Sequence, residues 1–135
     1  MIVRVSINNQ SVTARSESAA ILLQMNSREL AAEIIATYER HGWKLRRVLL
    51  RPETRAEIQG QTFSDAANID SDFDALWFAR PSHEKREAWE LRLLAEQRYA
   101  LFEAFEADES EEDREEARHE MENRMREHAN TRAAS

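Results

Sequence analysis

Residues 27–50, SRELAAEIIATYERHGWKLRRVLL, decide how this chain folds, because a helix pattern is followed directly by a strand pattern. Apolar side chains recur three and four positions apart, the spacing of one helix face; they are Leu30, Ala31, Ile34, Ile35 and Tyr38. Asn26 or Ser27 can cap the first turn through a side-chain oxygen, and Gly42 supplies the usual helix stop. The sequence therefore predicts a helix over residues 27–41.

Strand patterns lie on both sides of this helix. WKLRRVLLR at 43–51 is apolar in its second half and ends before Pro52, and ALWFA at 75–79 is apolar throughout. We expect these two segments to pair with each other, and antiparallel pairing is the commoner kind. Near the amino terminus, the alternation of apolar side chains in residues 2–7 predicts a half-buried strand.

Two further strand predictions rest on weaker patterns. Residues 11–15 are expected to close a hairpin with the first strand, after an Asn-rich turn at 8–10. The apolar run AAILLQM at 19–25 is too short to distinguish a buried strand from a helical turn, and we interpret it as a strand.

The segment 83–107 predicts a long helix that begins after Ser82. Its apolar positions form a broad stripe at helical spacing; the stripe comprises Ala88, Leu91, Leu94, Ala95, Leu101, Phe102 and Phe105. Such a stripe is wider than one small sheet can cover, which favours a homodimer or a bound partner helix. The polar stretch from 53 to 72 predicts a long loop that is functional, mobile, or hides a short strand.

These elements together predict an α+β fold, in which a small, mostly antiparallel sheet is packed by two helices, at about 27–41 and 83–107. We expect residues 1–107 to form a single domain. Residues 108–135 hold 5 basic and 10 acidic side chains and no aromatic residue, Leu, Ile or Val. They predict an acidic C-terminal tail, helical or disordered, that adds almost nothing to a core.

The composition excludes several classes of site and of protein. The 135 residues include no cysteine and only two glycines, so disulfide frameworks, thiol catalysis and glycine-rich phosphate loops are excluded. No apolar run is long enough to span a membrane, and the first residues lack the pattern of a secretory signal. We therefore expect a cytoplasmic protein with no membrane contact, and no pattern in the sequence predicts a cofactor or a metal.

A basic stretch within residues 40–55 stands out in a chain whose net charge is −7. Its candidate contact residues for a nucleic acid or a protein partner are Lys44, Arg46, Arg47, Arg51 and Arg55. Arginines beside an aromatic residue, here Trp43, suit phosphate contact and base stacking. Glutamates interleave with these arginines, so pairing within the chain or with a protein partner is the favoured interpretation. Alternation along a strand would place Lys44 and Arg46 on one face and Arg47 and Arg51 on the other.

Three tryptophans, Trp43, Trp77 and Trp89, are candidates for the lining of a ligand pocket. Each lies in or beside a predicted core element, and aromatic side chains contribute most of their energy by packing. Packing in the core is therefore the favoured interpretation, and the pocket is the alternative.

Acidic and histidine residues form a few spacings that metal sites and catalytic sites use. The series from Asn68 to Asp74 resembles the start of a calcium loop, but it lacks the later glycine and glutamate. Glu116 and His119 have the spacing of two metal ligands on one helix, without the further ligands that such a site requires. Ser82 and Lys85 have the spacing of an activated serine, without a partner motif.

These observations lead to three hypotheses about function. The first is a non-enzymatic protein-interaction or regulatory module, which contacts a protein partner or a second copy through helix 83–107 or the tail. The second is a nucleic-acid-binding protein that uses the arginine-rich segment 40–55. The third is a small enzyme or ligand-binding domain with a site near Asp70–Asp74 and His83.

Overall fold

In the part of the chain that the structure describes, the fold is a six-stranded sheet with helices on both faces. A computed structural model describes residues 3–6, 25–58, 63 and 66–134. In chain order, the elements are β1 (Val3–Ser6), α1 (Ser27–Arg40), β2 (Lys44–Leu50), α2 (Pro52–Glu57), β3 (Ala67–Asp70), β4 (Ala75–Pro81), a 3₁₀ turn (His83–Lys85), β5 (Glu87–Leu93), β6 (Ala100–Phe105) and α3 (Glu111–Ala134).

The strand order across the sheet is β1-β6-β5-β4-β2-β3. Strand β3 runs parallel to β2, and the other neighbouring strands are antiparallel. The prediction of an α+β fold with a mostly antiparallel sheet is therefore confirmed. The predicted strand at residues 2–7 is confirmed over Val3–Ser6, whereas 11–15 and 19–24 lie outside the described residues.

Helix α1 forms where its sequence signals predict it. Asn26 accepts a hydrogen bond from the backbone N–H of Glu29, and the Glu29 carboxylate accepts one from the Asn26 N–H. This reciprocal arrangement is a capping box, which satisfies amides at the helix start. At the other end Gly42 has a φ of 86°, a left-handed conformation that suits glycine.

The central strands β2 and β4 pair antiparallel, as the sequence predicts. Their register shifts between Leu45 and Arg47, because one extra residue, Arg46, forms a β-bulge. Lys44 is opposite Ala79 and Arg47 is opposite Trp77, and both of these β4 residues lie in the core on one side of the sheet. The bulge therefore places Lys44 and Arg47 on the same face, and the face assignment predicted from simple alternation is wrong.

The predicted helix over 83–107 is wrong, because this segment forms a hairpin of two strands, β5 and β6. Strand β5 buries side chains on both faces: Trp89, Leu91 and Leu93 pack on one side, and Leu94 just after the strand packs on the other. A strand covered on both faces loses the alternation that distinguishes it from a helix. The residues of the predicted apolar stripe therefore belong to a sheet and its following turn. This segment provides no helix through which a homodimer or a partner helix could bind.

The turn between β4 and β5 contains two residues in an unusual backbone conformation. Glu84 and Lys85 have φ values of 55° and 64°. The Arg86 N–H donates to the His83 carbonyl oxygen across 3.0 Å. Positive φ at both central residues defines a type I′ turn, a position where Asn-Gly is the usual sequence.

The polar stretch predicted as a long loop contains two short elements among its described residues. Pro52 begins helix α2, which is the helix position where proline fits best. Strand β3 then pairs with β2 at the sheet edge, and all four of its residues are exposed. The short strand that was one of the alternatives for this polar stretch is therefore present as β3.

Helices α1 and α3 cover opposite faces of the sheet. Leu30, Ala31 and Ile34 of α1 pack with β2 and β4 residues in one apolar cluster. Met121 and Met125 of α3 are fully buried in the other cluster, which contains Trp77, Trp89, Leu91, Leu101 and Phe105. Of the two forms expected for the C-terminal segment, helical or disordered, the structure shows the helical one. The expectation that this segment adds almost nothing to a core is wrong. The proposed division into residues 1–107 and 108–135 stays a prediction.

Candidate functional site

The β2 bulge and helix α3 bring arginine side chains together around one tryptophan. The guanidinium carbon of Arg46 lies 5.5 Å from the ring centroid of Trp89, and that of Arg47 lies 5.6 Å from it. Arg118 of α3 approaches the same ring to 4.4 Å. Guanidinium groups are attracted to the face of an indole ring, so Trp89 serves as the common support of three cations.

Arg118 is the fixed member of this group. Its side chain is only 2% exposed, because α3 presses it against Trp89 and Phe105. A buried cation requires counter-charges. Two carboxylates of its own helix, Glu111 and Glu115, supply them.

The Glu115 carboxylate bridges two of the arginines. Its Oε1 lies 2.9 Å from Arg47 Nη2 and 2.9 Å from Arg118 Nη2. The hydrogen bond from Arg47 is the main cause that lowers the pKa of Glu115, and Arg118 adds to it. The protein thus contains a position between two guanidinium groups that binds an oxyanion, and the Glu115 carboxylate occupies it.

These residues form the wall of an open cleft of about 510 Å³ between the sheet and the start of α3. The residues that line the cleft are Arg46, Arg47, Ala67, Glu87, Trp89, Glu111, Arg114 and Arg118. Arginine and tryptophan dominate this lining, and none of the described residues in it carries a hydroxyl, a thiol or an imidazole. We call this the arginine cleft.

Arg51 and Arg55, two of the predicted contact residues, lie away from the arginine cleft. Arg51 Nη2 lies 2.9 Å from Asp74 Oδ2, and Arg55 Nη2 lies 3.1 Å from Asp70 Oδ1. The Asp74 carboxylate raises the pKa of Arg51 further above its usual range. Lys44 is exposed at the start of β2. The structure therefore brings Arg46 and Arg47 together and leaves Arg51 and Arg55 in ion pairs with acidic residues of the same chain.

The acidic series and His83 do not form one site. Asp70 and Asp74 pair with arginines, and Asp72 lies 2.8 Å from Arg126 of α3, which lowers the pKa of Asp72. Asp74 precedes β4 and His83 follows it, and a strand of this length separates its ends by about 23 Å. Asp70–Asp74 thus connects sheet and helices through ion pairs.

The remaining spaced pairs of polar residues lack the partners that their chemistry requires. Glu116 and His119 are exposed on α3, and the described residues contain no group of three or more side chains that could hold a metal ion. Ser82 and Lys85 are exposed in the β4–β5 turn. None of the helices in the described part of the chain has the length and apolar content needed to cross a bilayer.

The three tryptophans do not line a common pocket. Trp77 and Trp89 pack edge to face with centroids 5.8 Å apart on the α3 side of the sheet. Trp43 lies on the α1 side, where it contacts Tyr38 and Phe102 edge to face. Trp77 and Trp43 thus serve as packing residues, and Trp89 alone belongs to the arginine cleft.

A second polar cluster is buried between α1 and the sheet. The Tyr38 hydroxyl donates a hydrogen bond to the Glu90 carboxylate, and the Arg92 guanidinium donates to the Leu93 carbonyl oxygen. Burial raises the pKa values of Tyr38 and Glu90 and lowers that of Arg92 to about 10. This cluster shows that ionisable groups are buried on both faces of the sheet.

Sequence reasoning missed the α3 half of the arginine cleft, because the whole segment was interpreted as a solvated tail. A signal was present in the spacing of Arg114, Arg118, Met121 and Met125, which recur at four, three and four residues. That spacing places all four on one helix face. The two methionines are buried, so the two arginines on the same stripe face the sheet as well.

Comparisons with known proteins provide no relative for this chain. It matches no protein-family model, and neither the curated proteins nor the solved structures include one with significant similarity to it.

Proposed function

We propose that this protein is a non-enzymatic protein-interaction module and that it binds an acidic segment of a partner protein in the arginine cleft. The observation that carries this proposal is the convergence of Arg46, Arg47 and Arg118 on the Trp89 ring, within 5.6 Å of its centroid. Arginine and tryptophan are the residue types that contribute most to binding energy at protein interfaces.

Arg46 is the residue best placed to meet a partner. It is exposed at the β-bulge, and its described contact is with the Trp89 ring and not with a carboxylate. Its charge is therefore open to an incoming anion, whereas Arg47 and Arg118 first have to exchange Glu115. A bulge commonly serves to re-aim a side chain in this way.

The composition of the cleft supports binding and not catalysis. The residues that the structure describes in its lining include no nucleophilic side chain, and the two carboxylates among them, Glu87 and Glu111, are accompanied by four arginines. Glu87 is further engaged by the Trp89 indole, which donates to its Oε1 across 2.7 Å. Neither carboxylate is thus placed as a lone general base beside a reactive group.

A protein partner suits this surface better than a nucleic acid. Glu112, Glu115 and Glu116 lie on α3 beside the cleft and are exposed to solvent. A long polyanion would run across these glutamates, whereas one short acidic segment fits between them. Arg51 and Arg55, which a phosphate backbone would also need, are already held by aspartates.

The proposal is tested by affinity purification of partners with the full chain, using wild type and Arg46→Glu. Arg28→Glu is the matched control, because Arg28 is an exposed arginine on α1, on the other side of the sheet. We expect Arg46→Glu to lose a partner that wild type and Arg28→Glu both retain. Equal recovery by all three proteins, or no recovered partner at all, contradicts the proposal.

A further inference from the structure

We infer that the arginine cleft recognises a phosphate monoester, carried on a phosphorylated side chain of the partner. This inference rests on the proposed function, because it names the chemical group by which the cleft would hold a partner protein. Three properties of the site support it: the bridging position of Glu115, the exposure of the arginines' counter-ions, and the formal charge of the lining.

The Glu115 carboxylate shows where an oxyanion binds. Its Oε1 accepts from Arg47 Nη2 and Arg118 Nε, at 2.9 and 3.0 Å. These are the lengths of charge-assisted hydrogen bonds between guanidinium groups and oxyanions. A phosphate oxygen at the same point would receive the same two donors. Arg46 is exposed, lines the same cleft and lies 5.5 Å from the same ring centroid, so its charge is available to a second oxygen.

The counter-ions of the buried arginine are placed so that they can be exchanged. Arg118 is 2% exposed and held in position by packing, whereas the side chains of Glu111 and Glu115 are 74% and 54% exposed. Exchange leaves no charge without compensation, because water solvates the released carboxylate and the incoming anion becomes the counter-charge of Arg118. An incoming anion can therefore displace Glu115 into water and leave Arg118 fully paired.

The charge of the lining selects a dianion. Once Glu115 is displaced, the described lining of four arginines and two glutamates has a formal charge of +2. A phosphate monoester carries close to two negative charges at neutral pH and offers three acceptor oxygens. A single carboxylate would neutralise only half of this charge, and it would offer no advantage over Glu115 itself.

Binding can be observed at Trp89 by NMR, with inorganic phosphate as the probe. The Trp89 indole N–H belongs to the cleft, whereas Trp43 lies on the other face of the sheet and serves as an internal reference. We expect phosphate to shift the Trp89 indole signal in a saturable way and to leave the Trp43 signal unchanged. Acetate at equal ionic strength should shift it much less. Equal responses to both anions, or no saturable response, overturn the inference.

Two substitutions move the affinity in opposite directions. Arg46→Glu should weaken phosphate binding at least about fivefold, since it replaces an attractive charge by a repulsive one. Glu115→Gln should strengthen binding about fivefold, because the internal competitor loses its charge. Arg28→Glu, with the same charge change outside the cleft, should have little effect. A purely structural role for the arginines predicts no gain in Glu115→Gln, and that result would overturn the inference.

The source of the phosphate is tested with three ligands: an acidic peptide with phosphoserine, the same peptide with serine, and a 5′-phosphorylated single-stranded oligonucleotide. Stronger binding of the phosphopeptide than of the other two supports the inference. Stronger binding of the oligonucleotide overturns the assignment to a protein. A partner that requires Arg46 but binds equally well after phosphatase treatment overturns the inference and leaves the proposed function intact. Cleft-dependent phosphate binding without any protein partner overturns the proposed function, and with it the assignment to a protein side chain.

Discussion

The indole Nε1–H of Trp77 on β4 donates a hydrogen bond to Glu122 of α3, with Nε1 2.8 Å from Oε2. Trp77 is fully buried, so its N–H has no access to water and requires an acceptor from the protein. Glu122 is half-buried at the edge of the helix. This hydrogen bond helps to position α3 over the sheet next to Met121 and Met125, together with the ion pairs Glu115–Arg47 and Arg126–Asp72.

Removal of that acceptor should destabilise the fold. Glu122→Ala leaves the Trp77 N–H buried without its partner, which costs about 1–3 kcal/mol in the free energy of unfolding. Glu122→Gln keeps a carbonyl oxygen in the same place and should lose less than half as much. Urea unfolding followed by tryptophan fluorescence measures both. Equal losses in the two variants would show that the hydrogen bond is not the cause.

Helix α3 should contribute directly to stability through its methionines. Met125→Ala removes a fully buried side chain from the cluster around Trp77, and large-to-small core substitutions of this kind cost about 2–5 kcal/mol. Glu120→Ala, at an exposed position of the same helix, should change stability by no more than about 0.5 kcal/mol. Chemical denaturation distinguishes the two, and a neutral Met125→Ala would mean that α3 does not cover the sheet in solution.

The β4–β5 turn should become more stable when its residues match its backbone. Glu84 and Lys85 both have positive φ, which side chains with a Cβ rarely adopt. The double variant Glu84→Asn/Lys85→Gly has the preferred type I′ sequence and should raise the free energy of unfolding by about 1 kcal/mol. Lys85→Ala keeps the Cβ and should give no gain. A thermal melt that shows no difference between the double variant and wild type would contradict this reading of the turn.

Glu90 should make the protein less stable as pH rises. Burial raises its pKa above the ordinary value of 4.5, although the hydrogen bond from Tyr38 and nearby arginines act against this. A carboxyl with a raised folded-state pKa favours folding below pH 4.5, and this contribution disappears as pH rises through the folded-state pKa. Glu90→Gln cannot ionise, so its stability relative to wild type should increase with pH above about 4.5.

Asp72 provides the matched control for this pH experiment. Its pKa is lowered by Arg126, so its contribution to stability is present above its ordinary value of 3.8 and lost as pH falls. Asp72→Asn should therefore be less stable than wild type above pH 3.8, and this difference should shrink as pH falls below 3.8, whereas the effect of Glu90→Gln changes above about pH 4.5. Urea unfolding from about pH 2.5 to 7.5 measures both trends. A pH-independent difference for Glu90→Gln would contradict the assignment.

Local signals in the sequence predicted the secondary structure correctly where a single side chain or a regular spacing determines the backbone conformation. The cap at Asn26, the stop at Gly42 and the apolar second half of β2 each have a direct physical cause, and α1 and β2 form where they indicate. The same reasoning failed for β5 and β6. Those strands are covered on both faces, contain many helix-favouring residues, and are joined by a turn at 94–99 that has no glycine or proline.

The sequence predicted the residues that β2 contributes to the site but not those that α3 contributes. Arg46 and Arg47 could be identified from their charge and from the neighbouring Trp43. Their common approach to the Trp89 ring depends on a β-bulge, and no residue type in the sequence predicts that bulge. Arg118 was missed because a charged residue in a polar helix is ordinarily solvated. Its burial follows from the position of Met121 and Met125 on the same stripe, and that pattern acquires meaning only once the sheet beneath it is known.

The extra residue in β2 makes this strand intolerant of deletion. Lys44, which precedes the bulge, lies on the same face of the sheet as the arginine cleft. Arg47 and Leu49, which follow the bulge, lie on that face as well, so the face changes from even-numbered to odd-numbered residues at the bulge. Deletion of residue 46 would move the side chains of either residues 44–45 or residues 47–50 to the opposite face of the sheet. Side chains that are now buried would then be exposed to solvent, and exposed ones would be buried. Related sequences, where they occur, should therefore preserve the number of residues between the Gly42 turn and Pro52.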